Sequence, residues 1–169
     1  MATNKTIAGG TNEPPKGDLE QARVLWGGGD VDPYVAAAVK AREKDLRIKL
    51  GETSEAIAAR VARHTALARR HDFDPMLREK FVEVEIDAQL ADNAGRAVTL
   101  DEVRALTEQT REKMHARYGA DGADQYAAQV HALAAGDPEL QAVLQLRDIG
   151  SREDVVGGLM QHVRLRGRE

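Results

Sequence analysis

The amino-acid sequence predicts an all-α protein of about six to seven short-to-medium helices in an irregular bundle, preceded by an extended arm rich in Gly and Pro. Three helix starts support this prediction, because in each an Asp precedes a Pro: Asp32-Pro33, Asp74-Pro75 and Asp137-Pro138. An Asp side chain accepts hydrogen bonds from the first turn of a helix, and Pro suits the first helical position. Apolar residues then recur at three- and four-residue spacing, which indicates amphipathic helices.

The helices are predicted in chain order from these starts and from the Gly residues that close them. The predicted ranges are 33–50, 54–71, 75–93, 100–118, about 123–135, and roughly 138–146 and 152–165. Thr99-Leu-Asp-Glu102 has the pattern of a capping box, Ser151-Arg-Glu-Asp154 is an acidic variant of it, and Ser54 is also assigned to a cap. Residues 81–86 alternate as a strand would, but the caps on both sides favour a helix there.

The composition limits the chain to one modest core. Its 169 residues are 42% hydrophobic and 31% charged, which is typical of a soluble, ordered protein. Only 4% are aromatic, so the core depends on Ala, Leu, Val and Ile in closely packed helices. The absence of Cys excludes disulfides, thiol nucleophiles and thiolate metal sites. No stretch is apolar enough for a leader or a membrane span, so we expect a cytoplasmic protein.

Two segments are expected, an arm over 1–31 and a helical domain over 32–169. The arm holds six of the fifteen Gly and two of the five Pro residues, which interrupt any helical period. A sub-boundary is possible near 93–98, with a C-terminal helical unit over 99–169.

Within the arm, Leu19, Ala22 and Trp26 could share one face of two helical turns. Trp26 is the single Trp of the chain. It either docks the arm on its own domain or anchors a partner, since aromatic residues bury a large area and are enriched in interfaces.

The five His residues do not form a metal-binding pattern. His64 and His71 share a predicted helix but lie about two turns, roughly 10 Å, apart, too far to bind one metal ion directly. The remaining three lie on separate predicted helices: His115, His131 and His162. Residues 91–102 resemble a calcium loop at first, but no alignment places enough carboxylates.

Catalytic motifs are missing as well. The sequence contains no HExxH, no GxSxG and no phosphate-binding loop. We therefore predict that the protein is not an enzyme and uses no catalytic residue, metal or cofactor.

The charges occur in blocks, although the net charge is only −4. Residues 40–71 contain nine Lys or Arg and four acidic residues. Residues 72–92 and residues 119–154 each contain two Lys or Arg and seven acidic residues. Three interpretations are open: the basic helices pack on the acidic helix of the same chain, a basic face on one copy meets an acidic face on the next, or the basic helix binds nucleic acid. The basic face concerned consists of Arg60, Arg63, Arg69 and Arg70.

The C-terminal third resembles the tail of scaffolding and related head-assembly proteins of tailed bacteriophages. The similarity covers about 50 residues and comprises Arg117-Tyr-Gly-Ala-Asp121, a helix with Ala127 and Val130, Pro138-Glu-Leu140, Ile149-Gly-Ser151 and Asp154-Val-Val156. In that family a C-terminal helical pair, often basic, grips the coat protein. The resemblance implies this role for the basic end of the last helix: Arg164, Arg166 and Arg168.

The sequence thus predicts a non-enzymatic structural or assembly protein that acts through multi-copy protein contacts. The expected partners are further copies of the chain and ring or shell neighbours such as coat or portal protein, in the host cytoplasm during assembly and then in the virion. The alternative is a small helical regulator or nucleic-acid-associated protein that uses the basic helix around residues 60–70.

Deleting residues 1–30 is expected to leave the melting temperature and the helical circular-dichroism signal per ordered residue nearly unchanged, because the clustered Gly and Pro residues precede every predicted helix. Self-association or partner binding should fall, as measured by sedimentation velocity. A collapse of the melting temperature would instead place the arm in the core.

Overall fold

The computed structural model describes residues 30–168, which form eight α-helices and one short 3₁₀-helix. Numbered in chain order, they are α1 Pro33–Ala41, α2 Glu43–Ile48, α3 Ser54–His71, α4 Pro75–Asn93, α5 Leu100–Tyr118, α6 Ala120–Ala135, α7 Pro138–Leu144, the 3₁₀-helix Ile149–Ser151 and α8 Glu153–Arg166. No strand occurs within residues 30–168, so the predicted all-α class is confirmed. Almost all of the predicted arm, including Trp26, lies outside the described residues.

The predicted Asp-Pro helix starts are confirmed as caps. The side chains of Asp32, Asp74 and Asp137 each accept hydrogen bonds from backbone N–H groups in the first turns of α1, α4 and α7. Thr99 and Glu102 form the predicted capping box at the start of α5, each accepting from the other's backbone. Local side-chain chemistry therefore sets these four boundaries.

The prediction of one helix over 33–50 is wrong, because Arg42 divides this range into α1 and α2. Its φ of −107° and ψ of 5° leave the helical region, and its N–H donates to the Val39 carbonyl at 3.1 Å. The break turns α2 so that Leu46 is fully buried against α1. Burial of this side chain outweighs the helical propensity of the segment.

Two predicted caps are also wrong, and each Ser has another role. α3 is capped by Thr53, whose Oγ1 accepts from Ala56 N at 3.2 Å, while Ser54 lies inside the first turn. Ser151 ends the 3₁₀-helix, where its hydroxyl shares a 2.7 Å hydrogen bond with the Thr107 hydroxyl of α5. The sequence pattern predicted that the Ser151 hydroxyl would cap α8, but this hydroxyl forms a tertiary contact instead.

Two apolar cores flank α4, and a third, smaller cluster joins α5, α6 and α8. The first core packs α3 and α4 against α6, α7 and α8, with Phe73, Phe81, Leu140, Ile149 and Leu159 among its members. The second packs α1, α2 and α3 on the other side of α4: Val35, Val39, Leu46, Ile57, Val61, Val82 and Ile86. The third consists of Met114, Ala123 and Met160. The first core joins side chains from both sides of residues 93–98.

The position of α4 between two cores explains the strand-like alternation of residues 81–86. Phe81 and Val84 enter the first core, whereas Val82 and Ile86 enter the second. A helix buried on two sides carries apolar residues around much of its circumference, so its sequence loses the simple one-sided period. None of the helices within residues 30–168 combines the length and the apolar character needed to cross a membrane.

Gly150 is expected to be sterically required, because a Cβ there would lie 2.6 Å from the Leu144 carbonyl oxygen. Gly150→Ala should lower the free energy of unfolding by about 1–3 kcal/mol, since backbone would have to move. The measurement is urea unfolding followed by circular dichroism.

Gly122→Ala is the matched control, because its Cβ would meet only Tyr118 Cβ at 3.7 Å. This change within α6 should leave stability equal or raise it by up to about 1 kcal/mol, since Ala favours helix over Gly. Equal stabilities for the two variants would contradict the close approach at Gly150.

Candidate interaction surfaces

A buried ionic network holds α3 against α4. The Glu85 carboxylate, in a residue only 3% exposed, accepts a 3.1 Å hydrogen bond from Arg60 and also contacts Arg63 and His64. Arg60 extends the network to Glu52 and to Gln89 Oε1, the latter at 2.6 Å. All three partners of the carboxylate come from α3, so the network fixes the register of the two helices.

Glu85 is ionised in this network in spite of its burial. Burial alone would raise its pKa, but the hydrogen bonds and charges of His64 and Arg63 outweigh that effect and lower the pKa to about 2. Because a buried charge is stable only when it is paired and hydrogen-bonded, loss of a partner would leave an uncompensated ion.

The predicted basic face of α3 is largely engaged within the chain. Arg60 is only 6% exposed and lies inside the network, and Arg63 reaches into it from the surface. Arg69 forms two hydrogen bonds with Asp30, at 2.6 and 2.8 Å. Arg70 pairs with two carboxylates of the α7 start, those of Asp137 and Glu139. Arg60 and Arg63 thus reach the acidic helix α4, as the intramolecular interpretation of the charge blocks expects, whereas Arg69 and Arg70 pair with acids outside that helix.

Asp137 links the end of α3 to the start of α7. Besides capping α7, its carboxylate accepts from Arg70 Nε at 2.9 Å and contacts His71 Nε2 at 2.7 Å. Although burial opposes ionisation, the Arg70 and His71 side chains and the backbone of the α7 start hold its pKa well below the usual range. One carboxylate thus serves as a cap and as a tertiary contact.

The remaining His residues lie apart from one another. His115 contacts Asp124 at 3.1 Å, and His131 is exposed on α6. His162 is buried edge-on against Phe73, its Nε2 has no hydrogen-bond partner within residues 30–168, and burial lowers its pKa. In the described part of the chain, no group of three or more potential ligands could hold a metal ion.

The basic end of α8 differs from α3 in being unpaired. Arg164, Arg166 and Arg168 form no ion pair with any residue in the described range. The Arg164 guanidinium lies over the Tyr118 ring, 5.7 Å from its centroid, a position typical of a cation–π contact. Arg166 and Arg168 are exposed, whereas Arg164 is half-buried and also donates a 3.5 Å hydrogen bond to Gln161 Oε1.

Beside Arg164 lies a cleft of about 490 Å³ between α4, α5 and α8. Arg117 of α5 lines it, and the carboxylate nearest to that side chain, on Glu153, is 3.9 Å away. Met76, which is 75% exposed, stands at the α4 side. The sequence singled out Arg117 and Tyr118 only as part of a turn motif and did not place them beside the basic end, because the packing of α5 on α8 brings them there.

A second concave surface, here called the apolar groove, lies between α5 and α6 above α8. Two adjoining cavities of about 550 and 300 Å³ form it, and they share Ala127, Val156 and Met160. Val103, Val130 and Leu144 widen it toward α7. No sequence pattern predicted this groove, because its walls come from four separate helices and the 3₁₀-helix.

Compared with known proteins, the chain matches no family model, and no curated protein or solved structure is significantly similar to it. The interaction surfaces must therefore be interpreted from their own chemistry.

Glu85→Gln is expected to lower the free energy of unfolding at pH 7 by about 3 kcal/mol, because the buried Arg60 loses one of its two carboxylate partners. The pKa of Glu85 falls from 4.5 to about 2 on folding. The native carboxylate therefore stabilises the protein fully above about pH 4.5, and this stabilisation is lost as the pH falls toward 2. Urea unfolding should show that the difference in the free energy of unfolding between wild type and variant becomes smaller as the pH falls across this range.

Asp87→Asn on the same helix is the control, because Asp87 pairs with Arg42 at a half-exposed position. Such a pair contributes about 0–1 kcal/mol, so the variant should unfold almost as the wild type does. If Glu85→Gln were equally mild, the network would not be the main tie between α3 and α4.

Proposed function

We propose that the chain is a non-enzymatic structural protein that acts in multi-copy assembly by binding an acidic surface of a neighbouring protein through the basic end of α8. The unpaired Arg164, Arg166 and Arg168 support this role, because the Arg side chains of α3 are neutralised by acids of the same chain. Unpaired surface cations attract an oppositely charged partner and speed encounter.

The adjoining cleft refines the chemistry of the partner. Arg117 adds a cation that is in a long, 3.9 Å ion pair with Glu153, and the exposed Met76 adds an apolar contact. A segment that carries acidic residues around one apolar side chain would match this arrangement, since interfaces combine an apolar centre with a polar rim.

We further propose that the assembly is the head or virion of a tailed bacteriophage, with coat or portal protein as the neighbour. The resemblance of residues 117–156 to phage head-assembly proteins supports this assignment, and the basic end of α8 would match the often basic helical pair with which that family grips coat protein. The place of action would be the host cytoplasm during assembly.

Nucleic acid is the competing occupant of the same cations, because phosphates also pair with Arg. The alternative that used the basic helix at residues 60–70 is less favoured by the geometry, since Arg60 is buried and its three neighbours pair with acids.

Arg164→Glu combined with Arg166→Glu is expected to weaken binding to the coat or portal protein by about tenfold or more, because like charges would meet at short range. Binding should be measured by native mass spectrometry and by titration with the proteins encoded beside this chain. The wild-type affinity should decline with added salt.

The control carries the same charge change at exposed sites elsewhere, Lys44→Glu with Arg104→Glu. It should bind nearly as the wild type does. Loss of a steeply salt-dependent DNA affinity in the α8 variant, with protein binding unaffected, would replace the assembly proposal by the nucleic-acid one.

A further inference from the structure

His162 is a buried titratable residue whose imidazole has one polar atom without a partner. Only 6% of the residue is exposed, and within residues 30–168 no group forms a hydrogen bond with its Nε2. The ring stands edge-on to Phe73, with 5.1 Å between the two ring centroids. A neutral imidazole is tolerated at such a site, whereas protonation would bury a charge and an N–H donor without an acceptor, which is far more costly.

The charges around His162 do not compensate for its burial. Burial lowers its pKa below the ordinary value of 6.5, and Arg166 on the same helix and His71 at the end of α3 also oppose a further positive charge. Asp74 and Asp72 favour one, but Asp74 caps α4 and the Asp72 side chain is 80% exposed. In the described part of the chain, neither carboxylate forms a hydrogen bond with the buried ring nitrogen.

His162 lies where the docking of α8 on the rest of the fold ends. The preceding turns of α8 are buried in the first and third cores. Val163 is the last buried residue of the helix, and residues 164–168 are half-buried or exposed. Apart from the contact of Arg164 with the Tyr118 ring, the last turn of α8 is therefore held by two buried side chains, those of His162 and Val163.

We propose that His162 is a pH-sensitive switch that releases the C-terminal end of α8 in acid. While the ring is neutral, it docks this end on Phe73. Once protonated, the ring moves into water and the last turn of the helix leaves the fold with it, so the basic end changes position. This regulation of binding rests on the proposed function, whereas the release is a property of the chain alone.

The other buried His side chains keep a partner when they are charged. His71 stacks on the same Phe73 ring, but its Nε2 contacts the Asp137 carboxylate at 2.7 Å. His64 contacts the Glu85 carboxylate. A cation at either position would face an ionised acid, so we assign the acid sensitivity to His162.

The direction of the pKa change defines the pH range of the switch. The exposed, released ring has an ordinary pKa near 6.5, and the docked ring has a lower one. The docked state is therefore fully favoured above about pH 6.5 and loses stability as the pH falls below it. This range lies above the one in which Glu85 loses its contribution, because that carboxylate is ionised in the folded and the unfolded chain above about pH 4.5.

NMR spectroscopy of the full chain tests the release. The imidazole signal of His162 should titrate below pH 6.5, and the nuclear Overhauser contact between its ring and that of Phe73 should disappear in the acidic state. Between about pH 6.5 and about pH 4.5, the protection factors of the amides of residues 162–166 should fall by up to about tenfold per pH unit, the limit for uptake of one proton. Those of residues 153–160 should change less, because the cores hold that part of α8.

His162→Leu is the matched variant, because Leu keeps an apolar contact with Phe73 and cannot be protonated. It should remove the pH dependence of protection at the end of α8, and it also identifies the His162 signal by its absence. His131→Gln is the control, since His131 is exposed on α6. This variant should release the end of α8 in acid as the wild type does.

A His162 signal that titrates at or above pH 6.5 while the Phe73 contact persists would overturn the proposal, because the docked ring would then carry the charge. An equal loss of protection in His162→Leu would also overturn it, since another group would be responsible. If that variant fails to fold, the titration and the ring contact of the wild type are sufficient for the test.

Binding is tested separately, with the coat or portal protein. Release removes Gln161 and Arg164 from the lining of the adjoining cleft. The affinity of the wild type should therefore fall more between neutral and mildly acidic pH than that of His162→Leu, a comparison in which the titration of the partner cancels. Absence of binding at every pH would contradict the proposed function. Equal pH dependence of the two affinities, with release observed, would contradict the regulation proposed here.

Discussion

The Glu85 carboxylate is the constraint around which the helices are arranged. A charge in the interior must be paired, and its partners Arg60, Arg63 and His64 all come from α3. α3 can therefore lie on α4 in one register only, because a slip by one turn would leave the carboxylate without partners. Both large cores are built on that pair of helices, one on each side of α4. The apolar side chains supply most of the stabilisation, while the ions select the arrangement.

Pairing within the chain extends into the C-terminal half, where Arg147 pairs with Asp92 and Arg152 with Asp154, and it stops at the end of α8. In the N-terminal half, Arg side chains pair with carboxylates of the same chain, as Arg42 does with Asp87 and Arg78 with Asp32. In the C-terminal half, α5 buries few side chains and the end of α8 carries three unpaired Arg residues. The first half is internally satisfied. The second leaves a basic surface and an apolar groove, and partner binding is proposed at the basic surface for that reason.

The sequence predicted what local chemistry decides and missed what packing decides. The cap at Asp32 involves only the first turn of the helix that follows it, so its pattern can be recognised in the sequence alone. The break at Arg42 and the tertiary role of Ser151 depend on elements far along the chain. The charge blocks correctly raised an intramolecular option, but the burial of Glu85 among three side chains of α3 required the crossing of α3 and α4. Likewise, the basic end of α8 could be recognised in the sequence, whereas only the packing of α5 on α8 places Arg117 beside it.

The proposed function combines two features of different range at one end of the molecule. Attraction at the basic α8 end acts over about 8 Å at physiological salt and speeds encounter with an acidic neighbour, whereas the adjoining cleft between α4, α5 and α8 acts only at contact. On this proposal, once neighbours are held on a shared surface, their effective concentration is high and each further contact forms within the assembly. Contacts that are weak between free molecules would thereby become cooperative, which would permit assembly to begin on a partner rather than in free solution.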